Sequence, residues 1–136
     1  MAAETLVDCR IEVNSVVYST SANQATSEFE ANVQDSTTFG GSGWKSGLGG
    51  LKSGSINIAF LNDYADNALD ESLWALLGTN VTVKIRKSSG SISATNPEYS
   101  GSVTVNQVVP FNVGVGEISK QELTWPTTGA WARAVS

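Results

Sequence analysis

The sequence predicts a mainly β fold: antiparallel strands packed as two sheets in a sandwich or small partial barrel, with one α-helix at the flank. Three observations predict it. Apolar and polar residues alternate with period two in several short runs, the pattern of half-buried strands. Turn-forming stretches rich in Gly, Ser and Asn separate those runs. One segment alone, "DNALDESLWALLGT" at 66–79, carries helical spacing instead. At 136 residues, 40% of them hydrophobic, the chain suits a single domain, 1–136, with one full core.

Taken in order, Val7, Cys9, Ile11 and Val13 alternate with Asp8, Arg10, Glu12 and Asn14 and predict a first strand, with the Cys9 thiol on its apolar face. After the polar turn 19–26, Phe29, Ala31 and Val33 alternate with Glu28, Glu30, Asn32 and Gln34 and predict a second. A glycine-rich loop is expected over 36–52, because seven of the chain's 13 glycines fall between 37 and 55. So long a connection is usually functional or disordered. The third strand has Ile56, Ile58 and Phe60 on one face and the small residues Ser55, Asn57 and Ala59 on the other.

The helix is expected over 66–77. Asp66 or Asn67 would cap it, Asp70 and Glu71 suit the positive end of its dipole, and Leu69, Leu73, Leu76 and Leu77 form its apolar stripe. Trp74 is read as part of the core, and Gly78 fits the left-handed position that ends many helices. Val81, Val83 and Ile85 define the fourth strand. Strands near 99–109 and 115–125 follow, with Pro110, Gly114 and Gly116 in the turn between them, and Trp131–Val135 predicts a short last strand.

Composition narrows the chemistry. The chain has no histidine, which removes the commonest general base and a leading zinc ligand. Its single cysteine rules out an internal disulfide and gives a cytoplasmic site of synthesis as the default. No apolar run approaches membrane-spanning length, and the first residues lack the basic-then-apolar pattern of a secretion signal. The formal net charge of −5 repels nucleic acid over most of the surface.

Motif by motif, no active site emerges. The glycine stretch fails as a phosphate loop, because Trp44 separates Gly43 from Lys45 and no helix follows. Ser42 to Lys45 matches S-x-x-K, yet that serine–lysine pair needs a helical turn, which glycine disfavours, and the companion elements are missing. Asp63, Asp66, Asp70 and Glu71 lack the spacing of a calcium loop. Asn80 begins an N-x-T sequence that stays silent without secretion. Neither a metal nor any cofactor is expected. Trp125 and Trp131 read as packing residues. Trp44 differs, since an aromatic among glycines in a long loop suits a partner's pocket.

Four segments in order, "TTFGGSGWKSGLGGLKSGSINIAFLND", "DNALDESLWALLGTNVTVKIRK", "TNPEYSGSVTVNQ" and "TWPTTGAWARA", resemble the major tail tube protein of long-tailed, siphovirus-type bacteriophages, from about residue 35 to the end. The resemblance implies the tail-tube fold, two packed antiparallel sheets with one helix beside them. It further implies a structural virion protein, made in the bacterial cytoplasm, whose six-subunit rings stack into a hollow tube. Its partners would be copies of itself, the tip or baseplate, tape-measure and terminator proteins of the tail, and DNA passing through the lumen without specific binding.

On that pattern the glycine-rich loop contacts the next ring through Phe39, Trp44, Leu48 and Leu51, with Lys45 and Lys52 meeting acidic groups. The lumen wall draws on the second, third, fifth and sixth strands, with Glu28, Glu30, Glu117 and Glu122 as its acidic candidates. The alternative from the residues alone is a small β-sandwich binding module, for carbohydrate, using Trp44, Trp125 or Trp131.

Overall fold

In the computed structural model, residues 4–64 and 68–136 are described. Asp66 and Asn67, expected to cap the helix, lie outside the described residues. The chain forms β1 (Arg10–Val13), β2 (Val16–Val17), β3 (Ala22–Asp35), β4 (Gly47–Leu61), α1 (Leu69–Leu76), β5 (Asn80–Arg86), β6 (Glu98–Thr104) and β7 (Lys120–Ala134). All pairings are antiparallel, in the order β2-β1-β5-β6-β7-β4-β3.

The two expected sheets are therefore joined. β7 belongs to both halves. Lys120–Pro126 pairs with β4, whereas Thr127–Ala134 pairs with β6. The changeover falls at Pro126, which has no N–H to offer a ladder. Three residues on, Gly129 takes a positive φ of 76°, and the β6–β7 register shifts between Ser100 and Ser102. One long strand thus bends from one half to the other, and the 115–125 and 131–135 strands expected from the sequence are a single element starting at Lys120.

The halves enclose one core. Ile11 and Val13 of β1, Val81 and Val83 of β5 and Val103 of β6 face Ile56, Ile58 and Phe60 of β4 and Leu123 and Trp125 of β7. Ile11, Val13, Ile56, Ile58, Phe60, Val81 and Val83 obey the period-two alternation read from the sequence. Leu69 and Leu73 of α1 close one end. Trp125 is fully buried and its indole N–H donates to the Gln107 carbonyl at 3.0 Å, so the polar atom of the largest core residue is satisfied.

Trp74 is a correction: it stands 64% exposed. A helix turns 100° per residue, so a position next to Leu73 points well away from the Leu69–Leu73 stripe. Leu77 also lies outside, being the non-helical residue after α1. Gly78 takes φ 86°, the left-handed conformation anticipated for it.

The outer face of the β1-β5-β6 half carries an ion-pair ladder. Arg10 meets Glu12 at 2.9 Å, Lys84 meets Glu12 at 3.8 Å and Arg86 meets Glu98 at 3.3 Å. The register explains it, because Glu12 lies opposite Lys84 and Arg86 opposite both Arg10 and Glu98. Cys9 is half-buried against the core, and burial, helped by the neighbouring Asp8 carboxylate, raises its thiol pKa.

Candidate functional site

Three surfaces bear on function, and the first follows from how β3 and β4 outgrow the rest of the sheet. β4 is held by β7 only from Ser55 onward. Beyond that point β3 and β4 continue as a two-stranded arm, from Phe29 opposite Gly54 to Asp35 opposite Gly47. A two-stranded ribbon is marginal alone in water.

Here the sequence reading needs two corrections. Phe29 and Val33 were expected on a buried face, yet they are 48% and 69% exposed, because no second layer covers the arm. The glycine-rich loop expected over 36–52 shortens to 36–46, since Gly47–Lys52 belongs to β4. The alternation and the glycines were read correctly as local patterns. Where a covering layer stops is a tertiary fact.

The tip is a closed turn rather than an open loop. Ser36 N–H donates to the Ser46 carbonyl at 3.0 Å, and Ser46 N–H donates to Thr37 Oγ1 at 2.9 Å. Between them Phe39–Gly41 makes a 3-10 turn, and Trp44 N–H donates to the Gly41 carbonyl at 3.1 Å. Asp35 accepts from Thr37 N–H at 2.9 Å, and hydrogen bonds from the Thr37 side chain and backbone lower its pKa. The turn pushes apolar groups into water: Phe39 is 108% exposed and Trp44 78%. Leu48, Leu51, Lys45 and Lys52 are exposed along the same arm.

Where the arm diverges from the second half of β7, it leaves an open groove of about 490 Å³ lined by Phe29, Lys52, Tyr99, Trp131 and Arg133, among others. Phe29 and Trp131 rings stand 5.3 Å apart. Trp131 lies flat on Gly101, where an added Cβ would come within 2.5 Å of the indole, and its N–H donates to the Ser102 carbonyl at 3.1 Å. Of the tryptophans considered for ligand stacking, Trp125 is sealed in the core, Trp131 forms part of this groove and Trp44 stands at the tip.

The second surface is the face of β3-β4-β7 turned away from the core. It is small and polar: Gln24, Thr26 and Glu28 on β3, Ser55 and Asn57 on β4, and Glu122 and Thr124 on β7 line one shallow concavity. Asn57 Nδ2 donates to Thr124 Oγ1 at 2.8 Å across it. Glu30, opposite Ser53, shares that side with Glu28, which is opposite Ser55. The fold therefore gathers Glu28, Glu30 and Glu122 on one face. Glu117 is a correction: it lies before β7, in a turn where its carboxylate accepts from Gly114 N–H at 3.4 Å.

The third surface escaped sequence reasoning. Residues 105–119 were expected to continue strands on either side of a short turn. Instead they form a connection that crosses the base of the β4–β7 pair, at the opposite end from the arm tip. Val109 N–H donates to buried Gln121 Oε1 at 3.0 Å, Gln121 Nε2 donates to Asn62 Oδ1 at 2.6 Å, and Asn62 Nδ2 donates to Ser119 Oγ at 3.1 Å. Tyr64 hydroxyl bonds Ser119 Oγ at 2.6 Å and donates to the Pro110 carbonyl.

That network fixes an apolar platform. Tyr64 stacks on Phe111 at 5.4 Å, Phe111, Val115 and Ile118 of the same connection are exposed, and exposed Trp74 of α1 lies near Pro110. The available clue was the run "VVPFNVGVGEIS", apolar yet broken by Pro and Gly. Among the described residues, no group of His, Cys, Asp or Glu is placed to hold a metal ion, and no helix is long and apolar enough to cross a membrane.

No protein-family profile and no curated protein matches this chain. Among solved structures, a chain from the virion of a native gene transfer agent particle superposes with a TM-score of 0.76 at 18% identity, over 97% of this chain and 99% of that one. A chain from the tail of an empty gene transfer agent particle, refined helically with C6 symmetry, gives a TM-score of 0.66 at 18% identity, over 84% and 82% of the two chains.

Proposed function

We propose that this chain is a structural virion protein whose copies close into six-membered rings and stack as the tube of a phage-type tail, through which DNA passes. The observation that carries this reading is the near end-to-end likeness, over both chains, to a component of a gene transfer agent virion. The six-fold symmetry of the second neighbour's tail supports the ring number.

Physical features of the chain agree. β3 is a long open edge that a lone subunit leaves exposed and a ring pairs with a neighbour. β3, β4, β6 and β7 stand side by side in the sheet, so one continuous surface is available for a lumen wall. Its β3-β4-β7 portion carries Glu28, Glu30 and Glu122 among small polar residues, a lining that repels phosphate rather than gripping it. The arm, with Phe39, Trp44, Leu48 and Leu51 in water and Lys45 and Lys52 beside them, gains its stability from the next ring. Tip, tape-measure and terminator proteins of such a tail are the remaining partners of this reading.

The test is direct imaging. Purified protein, concentrated with and without a tail-tip template, is examined by negative-stain and cryo-electron microscopy. Rings or tubes with a central channel are expected. A chain that stays monomeric under every condition refutes the proposal.

A further inference from the structure

The groove beside the arm is a gap between two strand edges. β7 pairs with β4 only as far as Pro126 opposite Ser55. Past that point β4 keeps β3 on one edge and β7 keeps β6 on the other side, so the edges they turn toward each other carry no ladder. Thr127 Oγ1 still donates to the Gly54 carbonyl at 3.1 Å; farther out the edges part around Phe29, Tyr99 and Trp131. Unpaired strand edges accept an added strand, with side-chain pockets fixing its register.

The groove is also cationic. Lys52 and Arg133 line it, and Arg133 is held over Tyr99 by Nε donating to the Tyr99 hydroxyl at 3.0 Å. Among the described residues neither cation meets a carboxylate. Glu30 lines the groove as well, but alternation turns its side chain to the face opposite Phe29. Asp35 lies farther out toward the tip, and Lys120 at the far end of β7.

The chain carries a segment that matches. Residues 4–8 precede β1 outside any strand and are exposed throughout. Period two puts Glu4, Leu6 and Asp8 on one side, an apolar residue between two acids. Two surface tethers park the segment beside the end of β5. Lys87 Nζ meets Glu4 at 2.9 Å, and Asp8 accepts from the Ser89 hydroxyl at 2.8 Å and its N–H at 3.2 Å. Exposed contacts of this kind are weak and exchangeable. The segment is too short for its own groove. β5 and β6 stand between β1 and β7, three strand spacings or about 14 Å, and residues 4–8 extend about 17 Å at most.

We propose that this groove is a strand-acceptor site and that residues 4–8 of a second copy fill it, Leu6 entering among the aromatic rings while Glu4 and Asp8 meet Lys52 and Arg133. This rests on the self-assembly reading above, which supplies the second copy.

Two measurements test it. In a Cys9→Ser background, one preparation carries Thr5→Cys and another, with a tag of different size, Ala130→Cys. They are mixed, assembled and oxidised mildly, and a linked mixed dimer is expected on a non-reducing gel. A third preparation, Ser27→Cys, reports the open edge of β3. Separately, a capped peptide of residues 4–8 is titrated into the wild-type chain and followed by NMR. Saturable shifts of the Ser53 and Ala130 amides and the Trp131 indole N–H are expected. Leu6→Ala in the peptide weakens binding about tenfold, whereas Val7→Ala does not. Lys52→Glu with Arg133→Glu in the chain weakens it at least about tenfold, and Glu4→Lys with Asp8→Lys in the peptide restores it.

Linkage of 5 to 27 in place of 130, or peptide shifts along β3 alone, overturns the proposal and makes that edge the acceptor. Charge reversal without rescue overturns it as well. If assembled protein forms but 5 and 130 never link, the site is wrong and the tube reading stands. If the wild-type chain never assembles, the tube reading falls and the proposed contact between copies falls with it, even where the peptide binds.

Discussion

Replacing Phe39 and Trp44 together by alanine separates assembly from folding. In the lone subunit these rings touch little: Phe39 is fully in water and Trp44 is 78% exposed. Their loss therefore changes the free energy of unfolding by no more than about 0.5 kcal/mol. In an assembled tube each ring enters a partner, where burying a large apolar side chain is worth about 2 kcal/mol. Two such rings give about 4 kcal/mol per contact, close to a thousandfold in the concentration at which subunits add. Urea denaturation followed by tryptophan fluorescence reads the first quantity, and sedimentation of tubes against total protein reads the second. Tubes forming at the wild-type concentration would refute the assignment of the arm. A loss of subunit stability above about 1 kcal/mol would show that the tip serves the fold instead.

Trp125→Ala should behave oppositely, costing about 3–5 kcal/mol in chemical denaturation, because it empties the centre of the core and orphans the Gln107 carbonyl. Gly101→Ala should cost about 1–3 kcal/mol and shift the near-UV dichroism, since the new Cβ falls within 2.5 Å of the Trp131 indole. Glu28→Lys, Glu30→Lys and Glu122→Lys combined should leave tube assembly intact but slow DNA passage in a salt-dependent way; unchanged ejection kinetics would remove these carboxylates from the lumen wall.

Asp8 gives a pH prediction. Hydrogen bonds from the side chain and the backbone N–H of Ser89, at 2.8 and 3.2 Å, lower its pKa. Its folded value lies below its unfolded value, so the tether it makes is complete above the ordinary aspartate range and is lost as pH falls through the depressed value. The Ser89 amide proton, followed by NMR, should report that transition below the usual aspartate pKa, and Asp8→Ala should abolish it.

Much of the fold was legible in the residues. Where β1, β4 and β5 have a second layer to face, alternation named the buried side correctly: Ile11 and Val13 in β1, Ile56, Ile58 and Phe60 in β4, and Val81 and Val83 in β5. The one helix was found, and Leu69 and Leu73 were rightly placed inside. The exposed character of Trp44 was legible too, because glycines on both sides offered it nothing to pack on. Trp74 was misplaced for a local reason, since helical phase, not apolarity, decides which residues of a helix face inward.

The platform was missed because Val105, Val108 and Val109 read as strand. They pack in or against the core outside any strand: Val105 bonds the backbone of Gly78 and Thr79, and Val109 is held by the Gln121 side chain, itself bonded to Asn62. The acidic face was half legible. Glu28 and Glu30 lie on one strand, so alternation alone puts them together. Glu117 and Glu122 were both read onto one strand, and only the start of β7 at Lys120 separates them.

By itself the sequence determined the class of fold, the core faces of β1, β4 and β5 and the presence of a long glycine-rich connection, because these depend on the chemistry of near neighbours along the chain. Only the tertiary structure decided that the two sheets are one, that Phe29 and Val33 lie on an uncovered arm, and that the tip and the 107–119 platform stand at opposite ends of the molecule. The physical reason is that period-two patterning says which way a side chain points, whereas burial depends on what another segment, distant in sequence, places in front of it.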